Sequence, residues 1–214
     1  MRLGDHAAFI FDMDGTLIDS ERYHARAFAD AVLEKSGYRL TPDEHQEFFG
    51  KHTTWFAGEL NRRWGLSLVP EEVLALKRKR VREIFVAKPF AGAREFLDLW
   101  HGKIPLALAS NSPLGFVGPA LEDAGLMAYF DCITTADEVR HRKPDPEMIS
   151  RTVQKLRSDP RQTLVFEDQL IGVQAARSAG TRVVAVDNGQ PVDFPPDVLV
   201  LSWRELIIRS RSDR

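Results

Sequence analysis

Ala7-Ala8-Phe9-Ile10-Phe11-Asp12-Met13-Asp14-Gly15-Thr16 runs from five apolar residues straight into two carboxylates. An apolar run of this length, bounded by turn residues, reads as a short buried strand. In a parallel α/β sheet, ligands bind beyond the carboxyl ends of the strands. Asp12 and Asp14, two positions apart just past such an end, therefore share one site. Gly15 permits a sharp turn, and the Thr16 hydroxyl can bond a phosphate or a carboxylate. The set suits an Asp nucleophile, an Asp acid/base and a hard, oxygen-ligated cation. Taken alone, the stretch reads equally as a strand-to-turn junction in which Asp and Gly serve the backbone.

Working outward, other apolar runs end in polar side chains. Leu106-Ala107-Leu108-Ala109 leads into Ser110-Asn111-Ser112, and Leu164-Val165-Phe166 leads into Glu167-Asp168. His141-Arg142-Lys143-Pro144-Asp145-Pro146 places a cation in a loop before a helical pattern. Strand-like runs fall at 7–12, 105–110, 131–135, 163–167, 182–187 and 197–202, with helical patterns at 91–100, 113–124, 146–156 and 170–179 between them. Strand alternating with helix predicts a parallel sheet covered on both faces. The first connection breaks the pattern, because it spans about ninety residues, far more than one crossover helix needs. It reads as helices at 20–36, 42–49, 53–64 and 70–87, punctuated by Gly37, Pro42, Gly50, Gly65 and Pro70. The expectation is an α/β core of residues 1–18 and 89–214 with an α-helical cap, 19–88, inserted after the Asp pair. Lys88-Pro89 marks the return to the core, since Pro disfavours helix before it.

Composition narrows the function classes. The chain has 214 residues, 43% hydrophobic and 28% charged, as in ordinary globular proteins. Its net charge is −2, from 29 basic and 31 acidic residues, which argues against a nucleic-acid footprint. A single cysteine, Cys132, excludes an intrachain disulfide and reads as a buried, inert thiol. Apolar runs stop at about five or six residues, well short of a membrane span. The start of the chain carries Arg2, Asp5 and His6 rather than a signal-peptide apolar region. These points lead us to expect a cytoplasmic protein, a monomer or weak homodimer, without membrane or nucleic-acid partners. The basic run Lys77–Arg82 reads as a solvated helix face, and the tail 209–214 as frayed.

The ordered set Asp12-x-Asp14, Ser110, Lys143 and Glu167-Asp168 resembles the haloacid dehalogenase (HAD) superfamily, over nearly the whole chain. The resemblance implies a Rossmann-like core with a helical cap, and phosphoryl transfer from a small phosphorylated metabolite. It makes Asp12 the nucleophile that forms a phosphoaspartate and Asp14 the acid/base. Ser110 and Lys143 then neutralise the transferring phosphate, with Thr16 and Asn111 shaping its pocket. Mg²⁺ is the implied cofactor, held by the Asp12 and Asp168 side chains and the Asp14 backbone carbonyl. Glu167 ligates it directly or through water.

The stretch from Leu164 to Gly180 resembles the β-phosphoglucomutase-like branch. Trp100-His101-Gly102 and Tyr129-Phe130-Asp131 resemble its small bacterial phosphatases acting on fructose 1-phosphate and 6-phosphogluconate. Within the cap, His24 matches a position tied to closure and acid/base chemistry, and Lys51 and His52 fall where the branch carries its substrate-specificity loop. Three functions compete: a Mg²⁺-dependent phosphosugar phosphatase, a phosphosugar mutase, and a non-catalytic binding module of the same fold. Intact motifs argue against the third. Lys51 and His52, where the mutase has an arginine for a second phosphate, favour the first.

Overall fold

The computed structural model describes residues 1–48, 51–190 and 192–213. Its elements, in chain order, are β1 (Ala8–Phe11), α1 (Glu21–Ser36), α2 (Pro42–Phe48), α3 (Thr53–Trp64), α4 (Pro70–Ile84), α5 (Ala93–Trp100), β2 (Leu106–Ser110), α6 (Leu114–Asp123), β3 (Cys132–Thr135), α7 (Glu147–Leu156), β4 (Thr163–Glu167), α8 (Leu170–Ser178), β5 (Arg182–Val186), β6 (Leu199–Leu201) and α9 (Trp203–Ser212). They divide into two compact units, Met1–Asp19 with Ala87–Arg214, and Ser20–Val86.

In the first unit the strands form one parallel sheet in the order β3-β2-β1-β4-β5-β6. The strand bearing the Asp pair is thus central, with β2 and β4 on either side. Alternation along β1 sends Phe9 and Phe11 to one face and Ile10 to the other. The register sets Phe11 opposite Phe166, and their rings stack 4.7 Å apart. Phe9 meets Phe166 edge-on at 5.1 Å, and Phe96 of α5 packs on the same ring at 5.2 Å. Each such buried phenyl contributes roughly 1.5–3 kcal/mol. On the opposite face Ile10, Ala107 and Val165 pack with Met148, Ile149 and Val153 of α7 and Ala175 and Ala176 of α8. The sheet is sealed on both sides, so ligand access is left to the strand ends.

The second unit has its own core, built from Phe28, Val32, Phe48, Phe56, Leu60 and Val73. Phe28 and Phe48 stack at 4.2 Å. Pro70 sits in the first turn of α4, where a missing N–H is harmless. The helix expected over 70–87 stops at Ile84, because Phe85 turns to extended backbone. Phe49 and Gly50, expected at the end of one helix and in the turn after it, lie outside the described residues. The basic run is only partly solvated. Lys77 Nζ donates to Thr53 Oγ1 at 3.2 Å and lies over the Phe48 ring, while Arg80 pairs with Glu34.

The tail corrects an expectation. Rather than fraying from Arg209, the chain is helical through Ser212. Ser202 and Glu205 form a reciprocal capping box at the start of α9. Trp100 Nε1 donates to Ser210 Oγ at 3.0 Å, Arg211 pairs with Glu95 at 2.7 Å, and the Leu3 N–H donates to Asp213 at 2.6 Å. Among the described residues, no helix is long and apolar enough to cross a membrane.

Candidate active site

Each motif of the first unit reaches the same end of the sheet by the strand that carries it. Asp12 follows β1 directly, its N–H donating to the Phe166 carbonyl at 3.0 Å, so the ladder holds the nucleophile candidate in line. Ser110 ends β2 and Glu167 ends β4. Lys143 comes from the loop between β3 and α7, next to a cis Lys143–Pro144 peptide.

Lys143 is 5% exposed, and its ammonium sits at the centre of the array. Nζ donates to Asp12 Oδ1 at 2.7 Å, to the Ala109 carbonyl at 2.8 Å and to Glu167 Oε1 at 2.6 Å. An ammonium has three N–H donors, and these three acceptors match them. Burial opposes its charge, but the Asp12 and Glu167 carboxylates outweigh that and hold its pKa above the usual lysine range. Asp12 feels the converse. Burial pushes its pKa well up, the Lys143 ammonium pulls it down, and the Glu167 and Asp14 carboxylates push it up again. The net direction is upward, which marks a group that further positive charge would stabilise as the anion.

Glu167 is tied on both oxygens. Oε1 takes Lys143, and Oε2 accepts the N–H groups of Asp168 at 3.1 Å and Gln169 at 3.2 Å, at the start of α8. Gly172 makes this possible, since a Cβ there would lie 1.8 Å from the Glu167 carboxyl carbon. Asp168 Oδ1 accepts the Thr16 hydroxyl at 2.7 Å, and its Oδ2 accepts Asn188 Nδ2 at 3.1 Å. Gly15, at φ +83°, also has to be glycine, because a Cβ would meet Asp168 Oδ2 at 2.2 Å.

Asp14 is anchored by Ser112. The Ser112 hydroxyl donates to Asp14 Oδ2 at 2.7 Å, whereas Ser110 Oγ is 3.5 Å away, at the limit of a hydrogen bond. Ser110 Oγ accepts the Ser112 N–H at 3.0 Å. Asn111 grips the Lys143 backbone from both sides: its Oδ1 accepts the Lys143 N–H at 3.0 Å, and its Nδ2 donates to the Lys143 carbonyl at 3.3 Å. Thr16, fully buried, gives its hydroxyl to a carboxylate, one of the two partners expected for it.

Asp12, Glu167 and Asp168 each offer an oxygen within 4.8 Å of the others. An all-carboxylate, hard-oxygen set of this kind fits a divalent cation.

His24, Lys51 and His52 belong to the second unit. Lys51 and His52 are exposed, with Lys51 Nζ over the Trp55 ring and the His52 carbonyl accepting the Phe56 N–H at 2.9 Å as α3 begins. His24 is half-buried in the first turns of α1.

Residues 9–186 match the family described as haloacid dehalogenase-like hydrolase. The chain belongs to that family. Among its HAD relatives, the fructose-1-phosphate phosphatase YqaB of Escherichia coli is 32% identical over 85% of this chain and 96% of its own. A phosphorylated carbohydrates phosphatase of Thermotoga maritima is 36% identical over 81% of each chain. The crystal structure of CbbY from Rhodobacter sphaeroides in complex with phosphate superposes with a TM-score of 0.76 at 25% identity, covering 94% of this chain and 96% of that one.

Two residues of this HAD site escaped the sequence reading, Ser112 and Asn188. Ser112 adjoined the Ser110-Asn111 motif and could have been found by asking which second hydroxyl follows a strand-end serine. Asn188 had one local signal only, its place just beyond the end of a predicted strand.

Proposed function

We propose that the protein is a Mg²⁺-dependent phosphatase that releases inorganic phosphate from a small phosphosugar or a related phosphorylated metabolite. The observation that carries this reading is the buried array in which Lys143 bonds Asp12 and Glu167 while Asp168 stands alongside. Burying four ionisable groups is expensive unless they are paired and put to use. The phosphatase names and the sugar phosphates of the relatives point the same way.

In this reading Asp12 attacks phosphorus and carries the phosphoryl group as an acyl phosphate. Asp14, steered by Ser112, protonates the leaving alkoxide and then takes a proton from the water that hydrolyses the acyl phosphate. Ser110 donates to the phosphoryl oxygens. Lys143, its donors already matched, acts as a fixed charge that keeps Asp12 and Glu167 in place. Asp12, Asp168 and the Asp14 carbonyl would hold the cation, with Glu167 mainly an anchor for Lys143. When bound, Mg²⁺ supplies charge neutralisation for phosphoryl transfer. Ser20–Val86 serves as the cap, and substrate discrimination falls to it through His24, Lys51 and His52, the last two being exposed.

The test is a phosphate-release screen over phosphorylated metabolites with and without Mg²⁺, with β-glucose 1-phosphate assayed in parallel for isomerisation. We expect Mg²⁺-dependent release, fastest on small phosphosugars. Isomerisation outrunning release would replace the phosphatase reading with the mutase, and release in excess chelator would end the metal-centred one.

A further inference from the structure

We propose that Asn188 is a positioning residue for the cation site, fixing Asp168 against the nucleophile loop from a third direction. It stands two residues past the end of β5 and reaches back over 173 positions to Gly15. Its Nδ2 donates to the Gly15 carbonyl at 2.8 Å and to Asp168 Oδ2 at 3.1 Å, while its Oδ1 accepts the Gln190 N–H at 2.9 Å. That third bond settles which end of the amide is which: the atom facing Gln190 must accept, so the atom facing the two oxygens must donate.

The consequence is geometric. Gly15 belongs to the turn that carries Asp12 and Asp14, and Asp168 comes from the end of β4. The two segments meet at van der Waals distance, as the missing Cβ of Gly15 shows. One amide with two N–H groups bonds both at once. Asp168 is then bonded by Thr16 on one oxygen and by Asn188 on the other, which fixes the plane of its carboxylate. Losing a group that orients a metal's ligands in this way typically costs about ten- to a hundredfold in metal affinity or activity.

The inference rests on the reading of Asp168 as a cation ligand, and the experiment separates the two. The dissociation constant for Mg²⁺ alone is taken from the Mg²⁺-dependent rise in Tm of the full chain, which needs no turnover. Asn188→Ala removes all three bonds. Asn188→Ser keeps an acceptor for the Gln190 N–H, as serine does in such turns, but is too short to reach Asp168. We expect both variants to weaken Mg²⁺ binding by about ten- to a hundredfold, with kcat restored at saturating Mg²⁺. Unchanged affinity in both would overturn the inference and leave the cation reading standing. Loss in Asn188→Ala with full recovery in Asn188→Ser would also overturn it, because the effect would belong to the loop alone. If Asn188→Ala does not fold, Asn188→Ser decides. A wild type whose Tm ignores Mg²⁺ would remove the cation reading and this inference together.

Discussion

The two units treat charge in opposite ways. In the sheet unit, Lys143, Asp12, Glu167 and Asp168 are buried and joined to one another and to the backbone. In the helical unit, the ion pairs Arg63–Glu47, Arg62–Glu59 and Arg80–Glu34 lie among partly or largely exposed side chains around a hydrophobic core of the usual kind. Surface pairs of the second sort contribute about 0–1 kcal/mol, whereas breaking a buried pair costs about 3–5 kcal/mol. Stability alone would rarely favour the buried arrangement over apolar packing. The difference teaches that the first cluster is kept for its chemistry and the second for solubility and local order.

Four experiments would break or sharpen that contrast. The largest effect belongs to Asp12→Asn, which keeps shape and loses the anionic nucleophile. Turnover should fall by about 10³-fold or more, with the far-UV spectrum unchanged; near-normal phosphate release would show that Asp12 is not the nucleophile. Gly172→Ala comes next. The new methyl would collide with a Glu167 carboxylate that cannot swing away without releasing Lys143. Overpacking of this kind costs about 1–3 kcal/mol, so Tm and activity should drop together; an Ala variant with wild-type activity would mean that the array tolerates displacement.

Lys51→Ala and His52→Ala should act on selectivity. Each should lower kcat/KM for the preferred phosphosugar by about tenfold, the worth of one or two hydrogen bonds, and barely change it for a minimal phosphate ester. Equal losses on both substrates would place these residues in stability or core chemistry. The smallest effect is expected at Glu59, whose carboxyl the Arg62 and Arg63 guanidiniums pull down to about 2. A carboxyl with a depressed pKa stabilises the fold above its ordinary value and loses that contribution as pH falls. The small Tm gap between wild type and Glu59→Gln should therefore be level at neutral pH and close between pH 4.5 and about 2. A gap that widens on acidification would contradict the sign.

The sheet was legible because most strands are short apolar runs and the Asp pair, Ser110 and Glu167-Asp168 sit at the ends of three of them. The same locality failed for the tail. Arg209-Ser210-Arg211-Ser212 looks like solvated chain, yet Ser210 receives the Trp100 indole N–H and Arg211 finds Glu95 more than a hundred positions away. The capping pair Ser202 and Glu205 was a local signal that was there to be read. Within the site, residue types were legible but their partners were not. Thr16 could be given a phosphate or a carboxylate, and only packing against Asp168 chooses between them. Ser112 and Asn188 acquire meaning through contacts 98 and 173 positions apart, which no periodicity encodes.

The central place of β1 also has a consequence for biosynthesis. The strand ends at Phe11, yet one of its two neighbours in the sheet, β4, begins only at Thr163. At about 5–20 residues per second, the nascent chain carries Ala8–Phe11 without that partner for on the order of ten seconds. Ser20–Val86, whose contacts are local, is complete well before then. During that interval this all-apolar strand is a natural landing place for a chaperone that holds nascent chains.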